Sequence, residues 1–266
     1  MEDKMKRYLK LFFLYLYINI KELKSYGIDF YLGSIAMFLK NISNLFLIFF
    51  IYNIVNVING WNINEMIYLY SIVTISFSIW RCFFINTLNI SYYIINGKLD
   101  ILLIKPLNPL FLIFMEGFDE DAWGDLAVGI IIYFYISFKL NLPILNIILV
   151  FIIALLGGLV FSGISVIGSL FSIIFLGSSN FSDLPYIIYE FSKYPINIFN
   201  PVISILFKTI IPVAWIGYIP AYINLKDGNQ NLIIVFLISV FITILYFIIV
   251  VLIWNNVLKK YSSSGT

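Results

Sequence analysis

Residues 232–254 carry no charged side chain, and residues 144–172 carry none either. A helix crossing a bilayer needs about 20 mainly apolar residues, because the hydrocarbon core is ~30 Å thick and each residue advances ~1.5 Å. Uncharged runs of this length exceed what a buried strand or an ordinary core helix uses, so lipid is the solvent they call for. The rest of the chain agrees. Of its 266 residues, 62% are hydrophobic, 19% aromatic and 11% charged, against about 45–50% apolar and 25% charged in a soluble domain. Too few polar residues remain to cover a soluble core of that size.

Windows of the required length give an all-α membrane protein with six transmembrane helices, near 31–58, 63–88, 115–137, 144–172, somewhere within 176–222, and 231–255. A signal peptide is disfavoured at the N-terminus, since Lys10, Asn19 and Lys21 interrupt the first apolar run and no small-residue cleavage site follows. Residues 1–28 read instead as an amphipathic helix at the membrane surface, flanked by Lys6, Arg7, Lys10, Lys21 and Lys24. Asn59-Gly60-Trp61-Asn62 forms an outer turn, with Trp61 suited to the interfacial belt.

The stretch 176–222 allows two readings. In one, polar residues 176–194 form a cytoplasmic loop and the apolar part after Ile196 is the fifth span. In the other, the polar part spans and residues 195–222, broken by Pro201, Pro212 and Pro220, form an extracellular re-entrant hairpin. Both keep the same parity. Lys and Arg concentrate before the first span, in the 91–109 loop (Lys98, Lys105) and after the last span (Lys259, Lys260). The opposite side holds Lys139 and Lys226, with Lys193 or Lys208. The positive-inside rule therefore puts both termini and the 91–109 loop in the cytoplasm, with the protein multi-pass in the plasma membrane.

Composition also limits chemistry. Histidine is absent and Cys82 is the one cysteine. No disulfide framework, His-based metal site or usual catalytic dyad can be assembled, and no metal or catalytic residues are assigned. The net charge of +2 shows no basic stripe for nucleic acid. No phosphate-binding Gly-x-x-x-x-Gly-Lys-Ser/Thr loop occurs, so any ATP used must be hydrolysed on another chain.

Four features stand out. Ala154, Gly158 and Ser162, continued by Ser165 and Ser169, make a small-residue face for close packing within the chain or between two copies. Glu116, Asp119 and Glu120 share a face if helical, with Asp121 and Asp125 elsewhere on it. They read as a solvated helix start, an acidic dock for a basic partner, or an oxygen-ligand cation site. Asp183 and Glu190 share a face if their stretch is helical; with Tyr194 they are candidates for a translocation path, or they sit in a loop. The 91–109 loop is punctuated by Gly97, Pro106 and Pro109, and its Ile101, Leu102, Leu103 and Ile104 need cover by lipid headgroups or protein.

Asn96-Gly97-Lys98-Leu99-Asp100-Ile101-Leu102-Leu103-Ile104-Lys105-Pro106-Leu107-Asn108 resembles the Gly-x-Leu-Asp-x-Leu-Leu-x-(Arg/Lys)-Pro-Leu segment of ABC-2-type transporter permeases, closest to their six-helix branch. Gly60-Trp61 with Glu65 is similar to that family's first outer turn. Tyr194-Pro195, Pro212 and Tyr218-x-Pro220-Ala221 resemble its proline-broken stretch, and Tyr261-Ser262-Ser263-Ser264-Gly265 its tail. The resemblance implies the permease subunit of an ATP-driven exporter, partnered by a soluble ABC ATPase that binds ATP and Mg, and by a second or sister permease. It implies that Gly97, Lys98, Asp100, Leu102, Leu103, Lys105 and Pro106 couple to that ATPase, and it favours the re-entrant reading of 195–222. An ion-coupled secondary transporter working through Asp183 and Glu190 is the alternative, though no internal repeat is evident. An intramembrane enzyme and a signalling or scaffold membrane protein are weaker rivals.

Overall fold

The computed structural model describes residues 2–23, 27–174, 181–226 and 232–261. The Ser262–Gly265 part of the tail motif and residues 176–180 of the ambiguous stretch lie outside them. Among the described residues the secondary structure is helical apart from one bridge, Ile58 to Trp61.

The long helices are α1 (Glu2–Leu23), α2 (Ile28–Ile54), α3 (Ile63–Phe84), α7 (Ala122–Lys139), α8 (Ile144–Ile174) and α12 (Leu232–Lys260). The short ones are α4 (Ile90–Ile95), α5 (Leu99–Leu103), α6 (Pro109–Met115), α9 (Leu184–Ser192), α10 (Pro201–Thr209) and α11 (Tyr218–Lys226). Five segments are long and apolar enough to cross a membrane: Tyr31–Ile54, Ile63–Ile95, Ala122–Lys139, Ile144–Ser172 and Leu232–Lys260. The pair Pro201–Thr209 and Pro212–Lys226, bent by 71°, makes up to six if it counts as one span.

Helix α3 is the axis of the bundle. It starts after a turn in which Asn59 (φ 46°) and Gly60 (φ 83°) take left-handed conformations. A capping box closes its first turn: the Asn62 side chain accepts from the Glu65 N–H, and the Glu65 carboxylate accepts from the Asn62 N–H. Nearly every residue from Tyr68 to Cys82 is buried, so contacts with α3 act as a depth scale. Helix α7 runs antiparallel to it: Asp125 meets Arg81, Gly129 lies against Thr74 and Ile75, and Tyr133 stacks on Tyr68. Helix α8 runs parallel: the Ala154 carbonyl accepts from Ser76, Gly158 faces Ile79, and Ser165 accepts from Thr87.

A Cβ on Gly158 would sit 2.3 Å from Ile79 Cγ2. The small-residue face, with Ser162, Ser165 and Ser169 fully buried, is thus spent on packing inside this chain. Large apolar side chains of α2 and α12, among them Phe46, Phe50, Leu237 and Phe241, are exposed, as suits lipid contact.

Two expectations shift. The third expected span begins at Ala122 and not near Met115, because α6 ends at Met115 and Gly117 (φ 86°) turns the chain before α7. The second window continues past residue 88 through a 3-10 turn (Ile85–Asn89) into α4.

The stretch after α8 follows α3 back. The Phe181 carbonyl lies against Gly168, Tyr186 packs on Trp80, Tyr189 stacks on Phe77 with ring centres 4.0 Å apart, and Asn197 and Asn59 exchange two hydrogen bonds. From there α10 and the turn Pro212–Trp215 lead inward until Ile216 meets Gly157, which lies beside Ser76. Helix α11 then retraces the depth. Gly217 faces Val73, Asn224 donates to the Tyr68 hydroxyl, and Lys226 pairs with Glu65.

Candidate functional site

At the end of α3 farthest from the Asn59–Gly60 turn, residues 90–116 fold into three short helices. Five residues cannot hold an isolated helix, so α5 depends on its anchors. Leu99 is fully buried and Leu102 is 3% exposed, both in the main core. Gly97 (φ 65°) makes the left-handed turn between α4 and α5. The other face is left open, with Ile101, Leu103 and Ile104 exposed and Ile104 at 83%. Lys105 and Pro106 are exposed too, and Lys98 sits 4.7 Å from the centre of the Tyr92 ring. Asp100 lies beside Tyr261; burial, and then this carboxylate, raise the Tyr261 phenol above its ordinary pKa. The seven residues expected to couple therefore divide: Leu102 is an anchor, while Lys98, Leu103, Lys105 and Pro106 are presented outward.

Above this segment lies a buried ion network that the spacing of charges did not predict. Arg81, 6% exposed, reaches two carboxylates. Its Nε donates to Asp119 Oδ2 at 2.7 Å and its Nη1 to Asp125 Oδ2 at 2.7 Å. Asn41 of α2 donates to Asp125 Oδ1 and accepts from the Tyr70 hydroxyl at 2.6 Å. Three long helices and the 116–121 turn are thus joined at one point. Glu116, Asp119 and Glu120 do not share a helix face, because they precede α7: Asp119 serves Arg81, while Glu116 accepts from the Tyr93 hydroxyl at 2.9 Å. A lone arginine in an apolar run, with an aspartate near the start of a later one, was the available sequence signal.

The third arrangement is on α9. Asp183 precedes its first residue and is exposed. Glu190, with its side chain 61% exposed, pairs with the buried Lys193 at 2.7 Å, and Lys193 also lies over the Tyr189 ring. Tyr194 packs on the cluster of Ile48, Tyr52, Met66 and Tyr70. Tyr189 bonds Thr74 and stacks on Phe77, residues near the middle of α3. Glu190 is therefore a carboxylate exposed at the depth of the middle of α3.

Among the described residues, no three His, Cys, Asp or Glu side chains converge on a metal position. Residues 38–265 match a family model described as ABC-2 family transporter protein. No curated protein and no solved structure matches the chain.

Proposed function

The chain belongs to the ABC-2 transporter family, and on that premise we propose that it is the permease subunit of an exporter whose ATP is hydrolysed by a separate ABC ATPase subunit. The observation that carries the reading is the 96–106 segment. It is anchored in the main core by Leu99 and Leu102 and packs on α6, yet offers Ile101, Leu103 and Ile104 to whatever lies beyond the membrane. A surface built this way transmits force: a partner pressing on Ile104 pushes on α6, which packs against α3. A second permease, the same chain or a sister, completes the path.

In this reading the chain crosses the plasma membrane six times, with the end bearing the 96–106 segment and both termini in the cytoplasm. Lys98, Lys105, Lys259 and Lys260 lie on that side. The fifth crossing is the polar α9 region, and α10 and α11 form a re-entrant hairpin from the outer side. The return of the chain from the level of Asn59 to that of Ser76 and back to Glu65 supports this. Helix α1 lies along the cytoplasmic interface: its Tyr8 packs edge-on against Phe111 and its Asn19 donates to the Met115 carbonyl.

Glu190 at mid-depth faces the path between the permeases, where water replaces lipid. It is also the group an ion-coupled secondary transporter would use. The two readings separate on ATP. The purified chain and its ATP-binding subunit, reconstituted in vesicles, should show ATP hydrolysis stimulated by the permease and lost in Ile104→Asp. Hydrolysis indifferent to the permease, together with ion-gradient-driven uptake by the chain alone, would overturn the exporter reading.

A further inference from the structure

Beside the exposed apolar ridge of the 96–106 segment lies a cleft of about 320 Å³. Its polar lining comes from Asn89, Tyr92, Tyr93, Lys98, Lys105 and Glu116. Neither lysine has an ion-pair partner among the described residues. The Lys98 ammonium is held over the Tyr92 ring instead, at 4.7 Å, a weak attraction when exposed. Glu116 is already engaged by the Tyr93 hydroxyl, which is itself fixed by the Asn86 amide. Two lysines against one glutamate leave the cleft with an excess positive charge, in a space sized for a side chain and not for a folded element.

We infer that this cleft receives an acidic side chain of the ATPase subunit, which docks between Lys98 and Lys105 while Ile101 and Ile104 provide the apolar contact. The inference rests on the exporter reading and adds the chemistry of the docking contact. Two observations favour a protein carboxylate over the headgroups of an anionic bilayer. Glu116 lines the cleft together with the lysines, and a uniformly negative surface would be repelled by it. Ile104, at 83% exposure, stands on the same outward face, where a protein groove can cover it. Mixed charges beside an apolar ridge match a patterned protein surface, with electrostatics setting register and encounter rate.

The experiment measures binding of the full-length permease, in detergent, to the purified ATP-binding subunit. The double variant Lys98→Glu/Lys105→Glu should weaken the complex by about tenfold or more, because like charges juxtaposed at an interface cost several kcal/mol. Lys98→Arg/Lys105→Arg should bind as the parent does. Both pairs sit on exposed positions, and their thermal unfolding should match the parent. If the Glu variant binds unchanged while Ile104→Asp does not bind, the cleft inference is overturned and the exporter reading stands. If Glu and Ile104→Asp variants both bind unchanged, both fail. If the Glu variant loses affinity only for vesicles of phosphatidylserine and not for the ATPase, the cleft is a lipid site and the inference is overturned.

Discussion

Arg81 shows how a single residue can organise a membrane bundle. A guanidinium buried near the end of α3 is costly unless its planar fork is matched, and Asp119 and Asp125 match it from two directions. Arg81→Ala leaves the buried Asp125 and the half-buried Asp119 without their shared positive partner, a loss of about 3–5 kcal/mol by analogy with broken buried pairs. Arg81→Lys keeps the charge and loses the fork, so it should fall between Arg81→Ala and the parent. Asp125→Asn, which leaves the Arg81–Asp119 pair in place, should cost less than Arg81→Ala. Thermal unfolding in detergent checks the order; an Arg81→Ala protein as stable as the parent would show that the network carries no stability. This network was not legible beforehand for a plain reason. Helical spacing relates residues three or four apart, whereas Arg81 and Asp125 meet only because α7 runs antiparallel to α3. That pairing is tertiary, and nothing local in either run announces it.

The elements were legible in proportion to how strongly lipid dictates them. Helices α8 and α12 follow uncharged runs and appear where hydropathy puts them. The 116–121 turn was missed because the window near 115–137 took in the acidic residues after Met115 as the start of the helix, whereas they lie between α6 and α7. Two local signals set α6 apart as a helix of its own, one at its start and one after its end. Asn108 caps α6, accepting from the Leu110 N–H at 2.8 Å, with Pro109 in its first turn, and Gly117 sits where a left-handed residue is needed. The 96–106 segment was recognised as compact and in need of cover, but alternation within it was not. On a helix of one turn, Leu102 and Leu103 point to opposite sides, one into the core and one out. Substitutions at neighbouring apolar positions should therefore fail differently. Leu102→Asp puts a charge into the core and should lower the unfolding temperature and the yield of membrane-inserted protein. Ile104→Asp should leave both unchanged and abolish stimulation of the ATPase. Equal losses of stability in the two variants would remove the distinction between anchor and contact.

At the scale of the whole molecule, the question is what the bundle keeps away from lipid. Placing an aspartate at the centre of a membrane helix costs about 2.5–3.5 kcal/mol on insertion scales, so a carboxylate at that depth calls for water or protein beside it. Glu190 has Lys193 as partner, yet its side chain is 61% exposed on the surface of one chain. The exposed Ile187 and Phe191 flank it on the same short helix. A surface of this kind fits a path between two permeases better than it fits lipid, for which the wholly apolar exposed side chains of Leu237 and Phe241 on α12 are suited. Composition alone placed Asp183 and Glu190 in an ambiguous stretch, because a polar span and a loop look alike until neighbours fix the depth. The stack of Tyr189 on Phe77 supplies that depth.

The sole cysteine, Cys82, is fully buried, which makes the chain suited to thiol mapping without further changes. Maleimides react with the thiolate, a form that water supports and lipid does not. In intact vesicles, Glu190→Cys should be labelled by a membrane-impermeant maleimide, and Leu237→Cys, exposed among apolar side chains on α12, should not. Labelling of Glu190→Cys that falls when ATP is added to the assembled exporter would tie this face to the transport cycle. Equal inertness of the two positions would place Glu190 away from water and sink the assignment of α9 to the path.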